Sequence, residues 1–167
     1  ESMSKSKKNT IDPEQMIQNY GADAVRLFIL SDSPPERDVQ WSDQGMVASY
    51  KFMQKFWILH KKIVFKSQQP NKESQIFSEP IEEFTNQTIN KINLSLNKFS
   101  YNVIIANLHE IYAFFNKMIE EKIFFKNLTD NYIKILTIML PIAPHLANEC
   151  LDEIAINKNY FWPKVED

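Results

Sequence analysis

The sequence contains little glycine and cysteine and lacks long apolar runs, and each shortage excludes a class of structure. Only two glycines, Gly21 and Gly45, occur among 167 residues, which excludes a glycine-rich phosphate loop and favours long helices over turn-rich β structure. The single cysteine, Cys150, excludes an internal disulfide and a cysteine-built zinc site, and it is typical of a reducing compartment, so we expect a cytoplasmic protein. No run of about 18 apolar residues exists, so we expect no membrane span.

The composition is that of a globular chain with no overall preference for anions. Hydrophobic residues make up 44% of the sequence and charged residues 24%, which excludes a disordered chain. The net charge of -2 gives no general attraction for nucleic acid, so a polyanion site must be a local patch. Because the first residue is Glu1 and no signal peptide is visible, we expect a piece of a longer protein.

Apolar spacing predicts an all-α fold, with a junction segment over 1–41 and an antiparallel helix bundle over 42–167. The tail over 160–163 is rich in aromatic residues, and we expect it to dock on the bundle. The predicted helices of the bundle cover 43–66, 79–99 and 102–123. A further helix to about 140 is capped by Thr129 or Asp130, and a last segment runs to about Ile154.

The junction contains clear helix boundaries. Asp12 and Pro13 predict the start of a short helix, and Gly21 predicts its end. A second, mostly buried helix follows over 22–30. Arg26 is its isolated charge, and we expect it to pair with a carboxylate or with a ligand anion.

The histidines and the cysteine do not predict a catalytic set. His60, His109 and His145 are far apart in apolar helical surroundings, which favours core or surface histidines over a metal site. Cys150 follows His145 by five residues, so the two lie on different faces of a helix and do not form a nucleophile–base pair. We therefore expect no metal site and no complete active site in this chain.

The first nine residues are basic and rich in hydroxyl groups. They contain three lysines and three serines, which supply point charges and hydrogen-bond donors for phosphate oxygens. A solvated, disordered terminus is the alternative interpretation of such a run.

A second basic feature lies on the long predicted helix over 43–66. At 100° per residue, four of its lysines fall within about 60° of one another: Lys51, Lys55, Lys62 and Lys66. They lie nearly opposite its predicted core face: Met46, Tyr50, Met53, Trp57, His60 and Val64. No acidic residue occurs between 44 and 72, so the stripe is either a solvated face or a contact for a phosphate backbone.

Several motifs follow one another at the spacing found in the class I aminoacyl-tRNA synthetases, and the chain resembles that family over nearly its whole length. Those of the first half are Met3-Ser4-Lys5-Ser6-Lys7, Asp12-Pro13, Tyr20-Gly21-Ala22-Asp23 and Arg26-Leu27-Phe28. The first is similar to the family's Lys-Met-Ser-Lys-Ser signature loop. The run Leu140-Pro141-Ile142-Ala143-Pro144-His145-Leu146 is similar to the Pro-Phe-Ala-Pro-His run of its helical anticodon-binding domain.

Within the class, residues 33–45 resemble the leucyl members, through Ser-Pro-Pro-Glu-x-Asp-x-x-Trp-Ser-Asp-x-Gly. A valyl, isoleucyl or methionyl member is the alternative within the class. An independent helical interaction module is the alternative outside it. The chain departs from the signature loop at Ser2, which stands where the family has the loop's first lysine.

The resemblance implies an ATP-dependent charging of tRNA with leucine by a longer parent enzyme. It implies ATP with Mg²⁺ and leucine as substrates of that enzyme, and leucine-accepting tRNA as its partner. Lys5 would be the catalytic lysine, and Met3, Ser4, Lys5 and Ser6 would contact ATP. The fragment alone is expected to be inactive and to retain no ATP. The lysine stripe is our candidate for the tRNA contact on physical grounds, and we expect a monomer.

Overall fold

The computed structural model describes residues 3–31, 36–69, 75–156 and 159–165. The all-α prediction is confirmed. The helices are α1 (Pro13–Tyr20), α2 (Ala22–Ser31), α3 (Asp43–Ser67), α4 (Glu79–Asn97), α5 (Tyr101–Glu120), α6 (Leu128–Met139) and α7 (Pro144–Ile154), and a 3₁₀ turn covers Lys5–Lys7. In the described ranges, no helix is long and apolar enough to cross a membrane.

Two short strands complete the fold of the described residues. The strands β1 (Gln75–Ile76) and β2 (Phe124–Phe125) pair in parallel, with Gln75 opposite Phe124 and Ile76 opposite Phe125. They join the segment before α4 to the segment before α6. The division into units at 1–41 and 42–167 stays a prediction, although α2 packs on α3, α5 and α7.

Local signals place the helix boundaries of the junction. Asp12 Oδ1 accepts a hydrogen bond from the Glu14 amide at 3.0 Å, and Pro13 occupies the first turn of α1. Gly21 ends α1 at φ 84°, a backbone conformation that side chains with a Cβ rarely adopt. The predicted boundaries of α1 are therefore confirmed.

The core face of α3 is rotated from the predicted face. Met46, His60 and Val64 are buried as expected, whereas Tyr50, Met53 and Trp57 are only half-buried. The centre of the buried face is formed by Phe52, Phe56, Leu59 and Ile63. The helix has two adjacent apolar stripes. Packing against α2, α5 and α7 decides which stripe is central.

The start of α6 also differs from the prediction. Neither Thr129 nor Asp130 is its N-cap, because the helix begins at Leu128 with Asn127 at the N-cap position. The Asn127 side chain does not bond its own helix. It accepts from the Ser78 amide at 3.1 Å and donates to the Ser78 carbonyl at 3.0 Å, so it ties the start of α4 to the start of α6.

The aromatic tail docks only in part. Trp162 Nε1 donates to Asn93 Oδ1 at 3.0 Å, Pro163 is buried and Val165 packs against the core. Tyr160 is exposed, and Phe161 is 80% exposed.

A buried polar cluster joins α3, α6 and α7. His60 is fully buried, its Nε2 lies 2.9 Å from Glu153 Oε2, and its Nδ1 lies 3.0 Å from the Tyr132 hydroxyl. Because a carboxylate only accepts hydrogen bonds, Nε2 is the donor and Nδ1 accepts from Tyr132. Lys61 donates to both carboxylate oxygens of Glu153. Burial raises the pKa of the neighbouring Cys150 thiol to about 12, so this cysteine stays protonated.

This cluster predicts a loss of stability in mild acid. Burial lowers the pKa of His60 from its ordinary value of 6.5, against the opposing effect of Glu153. As the pH falls below about 6.5, the unfolded chain takes up a proton before the folded chain does, so the free energy of unfolding falls. The hydrogen bond from Lys61 lowers the pKa of Glu153, which extends the loss to lower pH. Urea unfolding from pH 7 to pH 5 measures it.

The matched variants are His60→Gln and His145→Gln, the second at an exposed position. His60→Gln should reduce the pH dependence between pH 7 and pH 5, and His145→Gln should leave it unchanged. A residual slope is expected in His60→Gln, because burial also lowers the pKa of His109. Equal slopes in wild type and His60→Gln would contradict the prediction.

Candidate nucleotide loop and nucleic-acid surface

The basic segment at the start of the chain is a compact turn. The Ser4 amide donates to Asn9 Oδ1 at 2.8 Å, which closes the turn across its base. The Lys7 amide donates to the Ser4 carbonyl at 3.1 Å, and Lys8 has φ 52°. The hydroxyl oxygens of Ser4 and Ser6 lie 3.1 Å apart. The two hydroxyls are therefore held together by short-range contacts.

The predicted ATP-contacting residues lie on this turn. Met3 and Ser6 are exposed, and Ser4 is half-buried. The backbone of Lys5 begins the 3₁₀ turn, whereas its side chain lies outside the described part of the chain. Ser2, which replaces the first signature lysine, also lies outside the described residues. The assignment of these residues to ATP stays a prediction.

The contacts at the start of α3 explain why serine, tryptophan, aspartate and glycine occur in the motif there. Ser42 Oγ accepts from the Gly45 amide at 3.1 Å and caps the helix. The Trp41 indole donates to Asp43 Oδ1 at 2.8 Å, and its ring meets Phe28 edge to face at 5.1 Å. A Cβ on Gly45 would lie 2.8 Å from Cε2 of Phe28, so glycine allows α2 to approach α3. The preceding residues 32–35 lie outside the described part.

Asp23 joins two motifs that are far apart in sequence. Its Oδ1 accepts from Arg26 Nη1 at 3.0 Å, which gives Arg26 the carboxylate partner expected of it. Its Oδ2 accepts from the amide of Leu146 at 2.7 Å. Leu146 lies in the first turn of α7, whose N-cap residue, Ala143, has no side-chain acceptor. Asp23 therefore caps α7 from α2.

Sequence reasoning missed this contact, although one signal pointed to it. A helix that starts at Ala143-Pro144 has no polar N-cap of its own, so its free amides need an acceptor from elsewhere. Nothing in the sequence identifies the segment that supplies the acceptor, because Asp23 precedes Leu146 by 123 residues.

The lysine stripe divides into two kinds of side chain. Lys51, Lys55 and Lys62 are exposed. Lys66 is half-buried, and its Nζ donates to the carbonyls of Ile119 at 2.9 Å and Glu121 at 2.6 Å. Burial lowers the pKa of Lys66. These carbonyls end α5, where a cation is favoured by the helix dipole, so Lys66 already has partners within the protein.

Two large apolar side chains lie on the same side of α3 as the exposed lysines. Ile58 is 56% exposed and Phe65 is 67% exposed. At 100° per residue, they fall within about 80° of Lys51, Lys55 and Lys62. Sequence reasoning missed them, because it considered only the lysines on this side of the helix. The stripe is therefore a mixed basic and apolar face.

Comparison with known proteins gives consistent matches. The family described as "tRNA synthetases class I (I, L, M and V)" matches residues 1–42. A leucine--tRNA ligase of Bartonella tribocorum is 36% identical over 98% of this chain and 20% of its own length. One from Hyphomonas neptunium is 31% identical over 99% of this chain and 20% of its own length. One from Bartonella quintana is 38% identical over 90% of this chain and 18% of its own length.

The fold matches a solved structure. That structure is the ternary complex of Agrobacterium radiobacter K84 agnB2 LeuRS with tRNA and LeuAMS. The TM-score is 0.80 at 21% identity, and the match covers 98% of this chain and 22% of the other. The chain thus spans about one fifth of the length of the relatives that it matches.

The Asp23 cap predicts a measurable contribution to stability. Asp23→Ala removes the acceptor from the first turn of α7 and the partner of Arg26, and it should lower the free energy of unfolding by about 1–2 kcal/mol. Asp23→Asn keeps an acceptor oxygen and should lose less. Urea denaturation of the purified chain measures both. Asp152→Ala, at an exposed position on the same helix, is the control and should change stability by no more than about 0.5 kcal/mol. Equal effects of Asp23→Ala and Asp152→Ala would disprove the cap.

Proposed function

Because the chain belongs to the leucine--tRNA ligase family over the fifth of those proteins that it spans, we propose that it is a working segment of such an enzyme. It carries the ATP-contacting signature loop, the junction and a helical tRNA-binding domain. The single observation that supports this best is the hydrogen bond from the Leu146 amide to Asp23, which links the junction motif to the first turn of α7. Motifs that resemble one family in sequence are thereby in direct contact in space.

The proposed chemistry is the activation of leucine. The leucine carboxylate attacks the α-phosphorus of ATP and forms a mixed carboxylic–phosphoric anhydride. The bond from the α-phosphorus to the α–β bridging oxygen breaks, and pyrophosphate leaves with that oxygen. Negative charge grows on the phosphate oxygens in the transition state, and a lysine that meets this charge lowers the barrier more than it tightens ground-state binding. We assign that role to Lys5. The hydroxyls of Ser4 and Ser6 are the neighbouring hydrogen-bond donors, and Mg²⁺ would accompany the ATP.

The turn is built to present these groups together. The bond from Ser4 to Asn9 closes its base, and Asp12 fixes the start of α1 only a few residues later. Short-range hydrogen bonds thus hold the turn, while Met3 and Ser6 stay exposed. A loop of this kind can move as a unit towards a bound nucleotide.

The proposed partner of the bundle is leucine-accepting tRNA. Lys51, Lys55 and Lys62 are exposed, and no acidic residue lies between 44 and 72. Such lysines suit contacts to the phosphate backbone, which position an RNA without reading its sequence. Lys66 takes a lesser part, because its ammonium is held by the end of α5. The complex that shares this fold contains tRNA, which supports the same partner.

The competing interpretations explain less. An independent helical interaction module accounts for the bundle but leaves the motifs over 1–45 without a reason. A valyl, isoleucyl or methionyl parent fits the family match over 1–42. The relatives compared along nearly the whole chain, however, are leucine--tRNA ligases. Aminoacylation by the full-length enzyme with each amino acid decides among these parents.

The role of Lys5 predicts a selective kinetic defect. In the full-length enzyme, Lys5→Ala should lower the rate of leucine-dependent pyrophosphate exchange by two or more orders of magnitude, roughly the effect of losing one transition-state donor. Leucine affinity should change little, because the lysine acts on charge that is absent from the ground state.

The controls for this measurement are Lys98→Ala and the chain 1–167 alone. Lys98 follows α4, and its loss should leave the exchange rate unchanged. The isolated chain should support no exchange, because the leucine site is expected outside it. An unchanged rate in Lys5→Ala would remove Lys5 from the role, and leucine-dependent exchange by the isolated chain would contradict the proposed division of the enzyme.

The lysine face predicts a salt-dependent defect in tRNA binding. In the full-length enzyme, Lys55→Ala and Lys62→Ala should each weaken binding and reduce the slope of log affinity against log salt by about one. Filter binding at several salt concentrations measures both quantities. Lys98→Ala is again the control and should change neither. If the stripe variants match this control, the stripe is only a solvated face.

A further inference from the structure

Phe65 lies in an exposed position that packing within the chain does not explain. It is 67% exposed near the end of α3, whereas the opposite side of that helix is formed by fully buried residues such as Phe56 and Ile63. Among the described residues, its apolar ring therefore faces solvent within a helix that is otherwise well packed.

The ring borders a cleft of about 440 Å³ between the end of α3 and the segment after α5. Half-buried Ile119 and Phe124 form its apolar floor. The cleft lies at the small end of the volumes that ligand sites occupy. It therefore has volume for a planar group beside Phe65.

The charges around the cleft favour an anion at its rim. Lys62 lies one helical turn before Phe65, and Lys122 lies on the opposite wall. Both are exposed. Two acidic residues also line the cleft. The Glu120 carboxylate accepts from Asn116 Nδ2 at 3.1 Å. The Lys66 ammonium lies at the Glu121 carbonyl and attracts the charge of that residue, so Lys66 offsets Glu121, and Lys62 and Lys122 exceed the one remaining acid.

We propose that Phe65 is a stacking platform for one unpaired base of the bound tRNA. Lys62 and Lys122 contact the phosphates that flank this nucleotide. The inference rests on the proposed function, because the tRNA supplies the base. Bases that leave the helical stack of an RNA stack on aromatic side chains, and such stacking tolerates any base because each has a π-face. An aromatic ring between two exposed lysines suits a stacked base with a phosphate on each side. The lysine stripe alone would account only for the phosphates.

The occupant is taken to be RNA rather than another protein segment because of the charge pattern. Lys51, Lys55 and Lys62 continue the basic face from Phe65 along α3. A protein segment that covered this whole face would need an acidic surface along the helix. An RNA backbone supplies that charge at regular intervals.

The test compares Phe65 variants of the full-length enzyme in binding to leucine-accepting tRNA across a salt series. Phe65→Ala should weaken binding about tenfold, which is within the range for one stacked base, and should leave the salt slope unchanged. Phe65→Tyr should retain wild-type affinity, and Phe65→Leu should bind as weakly as Phe65→Ala. Phe161→Ala, at another exposed phenylalanine (80% exposed), is the matched control and should have no effect.

Chemical probing of the tRNA bases identifies the stacked nucleotide. One unpaired base should be protected in the wild-type complex and reactive in the Phe65→Ala complex. The urea midpoint of Phe65→Ala should equal that of wild type, which separates stacking from a role in packing.

Three results would overturn the inference while leaving the proposed function intact. They are unchanged affinity in Phe65→Ala, equal affinity of Phe65→Leu and Phe65→Tyr, and a lowered urea midpoint in Phe65→Ala. The last two would indicate an apolar contact with another protein segment. If the wild-type enzyme binds no leucine-accepting tRNA, the proposed function fails first and the inference fails with it.

Discussion

The hydrogen bond from the Leu146 amide to Asp23, at 2.7 Å, is the contact on which the arrangement of the motifs depends. A helix that begins at Ala143-Pro144 cannot cap itself, and an unsatisfied amide in a half-buried position is costly. Asp23 satisfies that amide and pairs with Arg26 through its other oxygen. The carboxylate thus fixes α7 against α2, and α2 continues through Gly21 into α1 and the signature turn. The signature turn and α7 are connected by one charged side chain and a short stretch of chain.

The two glycines of the sequence serve the same junction by different means. Gly21 has φ 84°, so it allows the chain to turn between α1 and α2. Gly45 leaves room for the Phe28 ring, which a Cβ would approach to 2.8 Å. In a chain with only two glycines, both lie where backbone geometry or close approach requires them. The junction is therefore held by close packing as well as by the Asp23 carboxylate, and this packing sets the position of α3 and its lysines relative to the signature turn.

Local signals in the sequence were sufficient for the starts of α1, α3 and α4, but not for the start of α6 or for the core face of α3. Asp12, Ser42 and Ser78 cap α1, α3 and α4 with their own side chains, so a short stretch of sequence contains the whole interaction. The side chains of Asn127 and Asp23 instead accept hydrogen bonds from distant segments, and no local rule identifies those segments. On α3, two apolar stripes compete, and only contact with three other helices decides which one is central. The signature turn was recognised by resemblance, whereas the exposure of Phe65 depends on tertiary packing and could not be predicted.

The same tertiary packing separates lysines that look equivalent in sequence. Lys62 and Lys66 are four residues apart on one face of α3, yet Lys62 is exposed and Lys66 is held by two carbonyls at the end of α5. The Lys66 ammonium also lies 5.6 Å from the centre of the Phe124 ring. Lys66 therefore positions the floor of the cleft beside Phe65, while Lys62 remains available at its rim. A charge that is used to build a surface cannot also be counted as a charge that binds to it, so a basic stripe defined by helical spacing overstates the number of phosphates that it can contact.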